Sequence, residues 1–254
     1  MLNVVSYGDT GVPLLIVHGL FGSARNWRVV QKRLAEGRRV IAVDLRNHGD
    51  SFWSADHSYE ALAEDLAEVI AAHGGVADVL GHSMGGKAAM VLALSEPALV
   101  GRLIVADIAP VAYGHTQAAH IEAMQAVDMT AVTRRSEADK QLALRVAEAP
   151  LRAFFLQSVE LGETGAKWKL NLDALGAEMP HIMGFPSLER QFEGPTLFLS
   201  GAESDYVKPK VQPEIPALFP RAEFAAIAGA GHWLHAEKPR EFLLEVERFL
   251  QPAF

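Results

Sequence analysis

The chain has no cysteine, which excludes disulfides, thiolate catalysis and cysteine metal sites and fits a reducing compartment. It also has no basic block. Its 23 Lys and Arg stand against 31 Asp and Glu, for a formal net charge of −8. That balance argues against sustained contact with nucleic acid or an anionic membrane surface. No apolar run is long enough to span a bilayer, and no cationic leader with an apolar stretch stands at Met1. Internal repeats and low-complexity linkers are likewise missing. The expectation is a cytoplasmic protein with a small-molecule ligand, no nucleic-acid or membrane partner, and an oligomeric state that the sequence does not specify.

What is present is hydrophobic mass. At 254 residues and 50% hydrophobic, the chain can bury one large α/β core and a small inserted subdomain. Short β-rich runs (Leu14–Val17, Val40–Val43, Val76–Leu80, Leu103–Val105, Thr196–Leu199 and Glu223–Ile227) alternate with helical stretches. Alternation of this kind predicts a doubly wound, mostly parallel sheet. Leu2–Tyr7, followed by the turn Gly8-Asp9-Thr10-Gly11, reads as an antiparallel edge strand.

The rhythm breaks after Asp107-Ile108-Ala109-Pro110. From about Ala112 to Phe192 only helical patterns are found, around Ala118–Val132, Glu137–Ala149, Leu151–Leu161 and Leu172–Met183. The division predicted is a core of residues 1–110 and 193–254, with a helical cap, 111–192, inserted over the carboxyl ends of the strands, where such sheets bind ligands. Phe154, Phe155, Trp168, Met179, Ile182, Met183 and Phe185 lie in that insertion. Among them Phe154, Phe155, Trp168 and Met183, with Phe21 and Trp233 from the core, are candidate pocket residues; packing of the cap onto the sheet is the alternative use for each.

The chemistry-bearing feature is Gly81-His82-Ser83-Met84-Gly85-Gly86-Lys87, between an apolar strand and a helix expected from about Lys87 to Ser95. Gly-X-Ser-X-Gly in that setting is the pattern of a sharp turn that exposes one hydroxyl at a helix N-terminus. The same residues fit Gly-X4-Gly-Lys, but a phosphate loop needs Ser or Thr after the lysine and Ala88 stands there. A serine nucleophile needs a base to take its proton and an acid to orient the base. His232, in Gly229-Ala230-Gly231-His232-Trp233 beyond the last strand, is the base chosen; His235 is its rival. Together the two also spell a metal pair, without a third ligand at suitable spacing, so no metal and no cofactor are expected.

An oxyanion site needs two amides. The loop His18-Gly19-Leu20-Phe21-Gly22 after an early strand offers the Leu20 N–H and the turn offers the Met84 N–H. His18, and Arg46, Asn47 and His48 after the third strand, are read as holding loops, and Lys87 as packed rather than reactive.

His18–Ser23, Asp44-Leu45-Arg46-Asn47-His48-Gly49-Asp50-Ser51, Gly81–Gly86, Asp107–Pro110 and Gly231-His232-Trp233 together resemble the α/β-hydrolase superfamily over nearly the whole chain. Arg-Asn-His-Gly, Asp-Ile-Ala-Pro and Asn171-Leu172-Asp173-Ala174-Leu175 look like YbfF-type esterases and their abhydrolase-domain-11 relatives. A short N-terminus departs from the usual eight-strand plan. The resemblance implies a carboxylesterase acting on small to medium acyl esters through an acyl-enzyme, with thioesters, acyl transfer and carbon–carbon hydrolysis open to the same residues. A ligand-binding protein with little turnover is the alternative of another class. Ser83 at the elbow disfavours the alkyl-enzyme chemistry of relatives with aspartate there. For the acid, most relatives use the fourth position of a Gly-X-X-Asp pattern, where Gly201-Ala202-Glu203-Ser204 has a serine and Asp205 is one residue out of register. The YbfF-like group carries it where this chain has Asp107. Asp107 is favoured over Asp205, with Asp173 a distant third and helix capping as Asp107's other use.

Overall fold

The computed structural model describes residues 1–163, 165–208 and 211–251. Its strands form where the apolar runs stand: β1 (Asn3–Tyr7), β2 (Leu14–Val17), β3 (Val40–Asp44), β4 (Ala77–His82) and β5 (Val100–Ala106), separated by helices α1 (Arg28–Leu34), α2 (Tyr59–Ala72) and α3 (Met84–Ser95). After β5 come α4 (Ala118–Gln125), α5 (Arg135–Leu142), α6 (Ala149–Phe155), the ribbon β6 (Val159–Gly162) and β7 (Gly165–Trp168), then α7 (Leu172–Ala177) and α8 (Met179–Met183). The sheet resumes with β8 (Thr196–Gly201), α9 (Ile215–Leu218), β9 (Ala222–Ile227), α10 (Leu234–Glu237) and α11 (Pro239–Leu250).

The seven-stranded sheet has the order β1-β3-β2-β4-β5-β8-β9. Every pairing is parallel except β1 against β3, with Asn3 opposite Asp44 and Tyr7 opposite Val40. The expected antiparallel edge strand is therefore present. β2, β3 and β4 are buried along their whole length, as strands covered on both faces must be.

Alternation within β2 splits the core. Leu15 and Val17 join the cluster packed under α2, α3 and the inserted helices, whereas Leu14 and Ile16 join the one covered by α1 and α11. α3 is buried through Leu94, so it forms the spine beneath the inserted segment. α11 instead buries one stripe, Phe242, Val246 and Phe249, at the spacing of an amphipathic helix.

The inserted segment departs from the helical reading in several places: α4 ends at Gln125 and α5 at Leu142, short of the expected spans, and one stretch is a β-ribbon. Leu151–Leu161 is α-helical through Phe155 and continues as a 3-10 turn over Leu156–Ser158; Val159–Gly162 then pairs with Gly165–Trp168, placing Val159 opposite Trp168 and Glu160 opposite Lys167. The Glu160–Lys167 ion pair at 2.7 Å is the cross-strand contact expected of such a register. A four-residue strand leaves too short an alternation to be separated from helical spacing. Leu172–Met183 is two short helices rather than one, with Pro180 in the first turn of α8, where its missing N–H costs nothing.

Candidate active site

Ser83 connects β4 to α3 with φ 54° and ψ −123°, a conformation that costs a residue with a Cβ about 1–3 kcal/mol. Close passage of strand and helix holds it there. A Cβ on Gly81 would stand 2.3 Å from the Gly85 carbonyl oxygen, so only glycine permits the crossing. The Ser83 N–H donates to the Ala106 carbonyl at 3.0 Å, fastening the turn to the end of β5.

Three side chains meet at the carboxyl ends of the strands. His232 Nε2 lies 3.1 Å from Ser83 Oγ, and its Nδ1 lies 2.7 Å from Asp107 Oδ2. Asp107 follows β5, is fully buried, and has φ 52°. Its Oδ1 accepts the Gly201 N–H at 3.1 Å, and its Oδ2 accepts the Ser204 hydroxyl. With Nδ1–H donating to the carboxylate, the Nε2 lone pair faces the serine. The Tyr206 ring stacks on the imidazole, centroids 4.2 Å apart. On the backbone side, His82 donates from Nε2 to the His232 carbonyl at 2.8 Å, and burial keeps His82 neutral by lowering its pKa well below the usual value. Asp205 stands apart: its side chain is 83% exposed and pairs with Lys208 at 2.7 Å.

Opposite Ser83, the loop after β2 presents Leu20 and Phe21. The Gly22 N–H is taken by the Gly19 carbonyl and the Phe21 N–H by His48 Nε2. Neither the Leu20 nor the Met84 N–H has a protein acceptor among the described residues, so both amides remain free for a ligand oxygen.

Residues 14–246 match the alpha/beta hydrolase family. The chain belongs to that family. It is 46% identical to the sn-1-specific diacylglycerol lipase ABHD11 of Mus musculus, over 96% of this chain and 82% of that protein. It is 37% identical to esterase YbfF of Escherichia coli (strain K12), over 94% of this chain and 92% of that one. Among solved structures, a marine microorganism esterase superposes with a TM-score of 0.94 at 38% identity, covering 98% of this chain and 99% of its own. At the level of fold and class, the expected carboxylesterase-like hydrolase is met. Among the described residues, no helix is long and apolar enough to cross a membrane.

The hydrolase cavity beside Ser83 has a volume of about 270 Å³ and is lined by Leu20, Phe21, Phe154, Phe155, Met183 and Trp233, among others. Trp168 is not among them. Its place opposite Val159 in the ribbon turns it into the packing of the inserted segment, where Nε1 donates to the Met124 carbonyl at 3.0 Å. Its expected role in the pocket is corrected accordingly. Asp173 is near neither His232 nor Ser83; it accepts from Gln125 on the surface.

Lys87 is 1% exposed and donates to the Met183 carbonyl at 3.0 Å and to the Gly184 carbonyl at the end of α8. Burial lowers its pKa to about 7. His235 stacks on Trp27 at 4.2 Å, while His232 faces Ser83. Ser204, Tyr206 and His82 were not found from the sequence. The register of Gly-X-X-Asp had pointed at position 204, but as the place of a missing acid, not of a hydroxyl serving one.

Proposed function

We propose that this hydrolase is a serine esterase in which His232 takes the Ser83 proton and Ser83 attacks an ester carbonyl. The Leu20 and Met84 amides then hold the tetrahedral oxyanion, and removing one such donor typically costs about 3 kcal/mol of transition-state stabilisation. Asp107 fixes the imidazole tautomer and stabilises its cation. Collapse expels the alcohol, protonated by His232, and leaves an acyl-enzyme. Water activated by the same imidazole releases the acid and restores the serine. No cofactor takes part in these steps.

The observation that carries this reading is the continuous line Ser83 Oγ, His232 Nε2, His232 Nδ1, Asp107 Oδ2, at 3.1 and 2.7 Å, with two unclaimed amides at its serine end. The names of the relatives, a diacylglycerol lipase and esterases, support an ester as substrate. A cavity of about 270 Å³ lies just under the range of about 300–1,000 Å³ common for drug-sized ligands, which favours small to medium acyl groups.

Hydrolysis of p-nitrophenyl esters across acyl lengths, comparing the intact protein with Ser83→Ala, tests the reading. Activity that peaks at short or medium chains and is lost in the variant is expected. A Ser83→Ala protein as active as the parent would refute it.

A further inference from the structure

Behind the oxyanion loop lie three buried histidines that the proposed chemistry does not use: His18, His48 and His57, each about 1% exposed or less. The His18 and His48 rings are 5.0 Å apart and the His48 and His57 rings 5.6 Å apart. Each has its tautomer set by backbone or amide partners. His18 donates from Nδ1 to the Gly19 carbonyl at 2.8 Å and accepts the Leu45 N–H at 3.0 Å. His48 donates from Nδ1 to the Arg46 carbonyl at 3.0 Å and accepts the Phe21 N–H on Nε2 at 3.2 Å. His57 accepts from Asn47 Nδ2 at 3.2 Å and turns its Nε2 toward Met84 Sδ at 3.4 Å. Burial, followed by the neighbouring imidazoles, holds the His48 pKa well below its ordinary value. A neutral ring is what an acceptor role requires, since imidazolium has no lone pair to offer.

His48 has the most consequential partner. Phe21 sits at φ 64°, in the left-handed region that a residue with a Cβ enters only when its surroundings demand it. The Leu20 and Phe21 amides are consecutive, and His48 claims the second. We infer that His48 is a positioning residue for the oxyanion site: by accepting the Phe21 N–H it holds the left-handed turn that leaves the Leu20 N–H free for the cavity.

The acceptor is itself rigidly mounted. Asn47 takes φ 66°, its Oδ1 accepts the Ser54 N–H at 2.8 Å and the Asn171 amide at 3.0 Å, and the Gly49 N–H donates to the Lys169 carbonyl at 2.8 Å. His48 thus stands between the inserted segment, which braces its loop, and the amide that would meet the substrate oxygen. A displaced Leu20 amide weakens the tetrahedral state more than the bound ester, because the negative charge it serves exists only in the former.

This inference rests on the serine esterase reading, and the experiment separates the two. Fluorophosphonate labelling of Ser83 in the unaltered protein tests that reading alone. His48→Gln, His48→Asn and His48→Leu are then compared for kcat, KM and affinity for a short-chain trifluoromethyl ketone, which forms a tetrahedral oxyanion on serine. The Gln oxygen reaches the place of Nε2 and the shorter Asn oxygen does not. His48→Gln is expected to stay within about threefold of the parent, whereas His48→Asn and His48→Leu lose roughly 10- to 100-fold in kcat with KM little changed. Ketone affinity should fall in proportion to kcat/KM. The inference is overturned if His48→Asn keeps the parent kcat, if the loss lies in KM with ketone affinity unchanged, or if His48→Gln loses as much as His48→Leu. Where His48→Leu does not fold, the Gln and Asn variants decide. Failure of all three to fold would make His48 a folding residue and overturn its assignment.

Discussion

Ser204 donates its hydroxyl to the carboxylate of Asp107, 97 positions earlier in the chain. The two meet because β5 and β8 are parallel neighbours, with Ala106 beside Leu199. A hydroxyl thus stands at the end of β8, and in the proposed mechanism the acid is the carboxylate at the end of the neighbouring β5. Replacing Ser204 with Ala should cost about tenfold in kcat, the scale of a lost hydrogen bond to a charged group. Steady-state kinetics would check this, and KM should hardly change because no substrate contact is removed.

The choice of acid is testable by a pair of substitutions. Asp107→Asn keeps the shape but favours the wrong imidazole tautomer, and a loss of roughly 10³- to 10⁴-fold in kcat is expected. Asp205→Asn should stay within about twofold, because Asp205 faces solvent and pairs with Lys208. Equal losses, or the reverse order, would remove Asp107 from the relay.

Buried histidines make the fold sensitive to acid. Burial, then the nearby Arg46 guanidinium, lowers the His57 pKa from 6.5 to about 3, and His18, His48 and His82 are shifted in the same direction, chiefly by burial. The unfolded chain therefore binds protons that the folded protein refuses as pH drops from 6.5 toward 3. Each such group contributes stability that is full above pH 6.5 and is lost progressively below it, by up to about 1.4 kcal/mol per pH unit. Urea unfolding at pH 7 and pH 5 should show a steep loss, and His57→Gln should lessen it.

Cavity walls and packing residues should separate cleanly. Phe155→Ala, at the cavity, is expected to move the acyl-length optimum toward longer chains while costing about 3–5 kcal/mol of stability. Trp168→Phe should leave the optimum unchanged and lower stability, since its indole N–H bonds the Met124 carbonyl away from the cavity. Chain-length profiles with thermal unfolding would distinguish the two effects.

Much of this is legible in the amino-acid sequence. Strands buried on both faces announce themselves as apolar runs, and β2 to β5 stand where those runs do. Gly81, Ser83 and Gly85 are readable together because a strand and a helix can cross so closely only with glycine at the contact. Asp107 was reachable through family resemblance, not spacing. The ribbon Val159–Trp168 was missed because four-residue strands carry too little periodicity, and Trp168 was misassigned with it. Ser204 and Tyr206 meet Asp107 and His232 from positions far along the chain, and contacts of that kind leave no local pattern; His48 is legible as a residue that holds loops, but the sequence does not show that the amide it holds is that of Phe21.

The most direct test of the central claim is intact-mass spectrometry of the protein quenched within milliseconds of mixing with a short-chain p-nitrophenyl ester. The account requires a mass increase of one acyl group, mapped to the peptide containing Ser83 and absent in Ser83→Ala. Turnover of the ester without any acylated Ser83, or with acylation undiminished in Ser83→Ala, would contradict it.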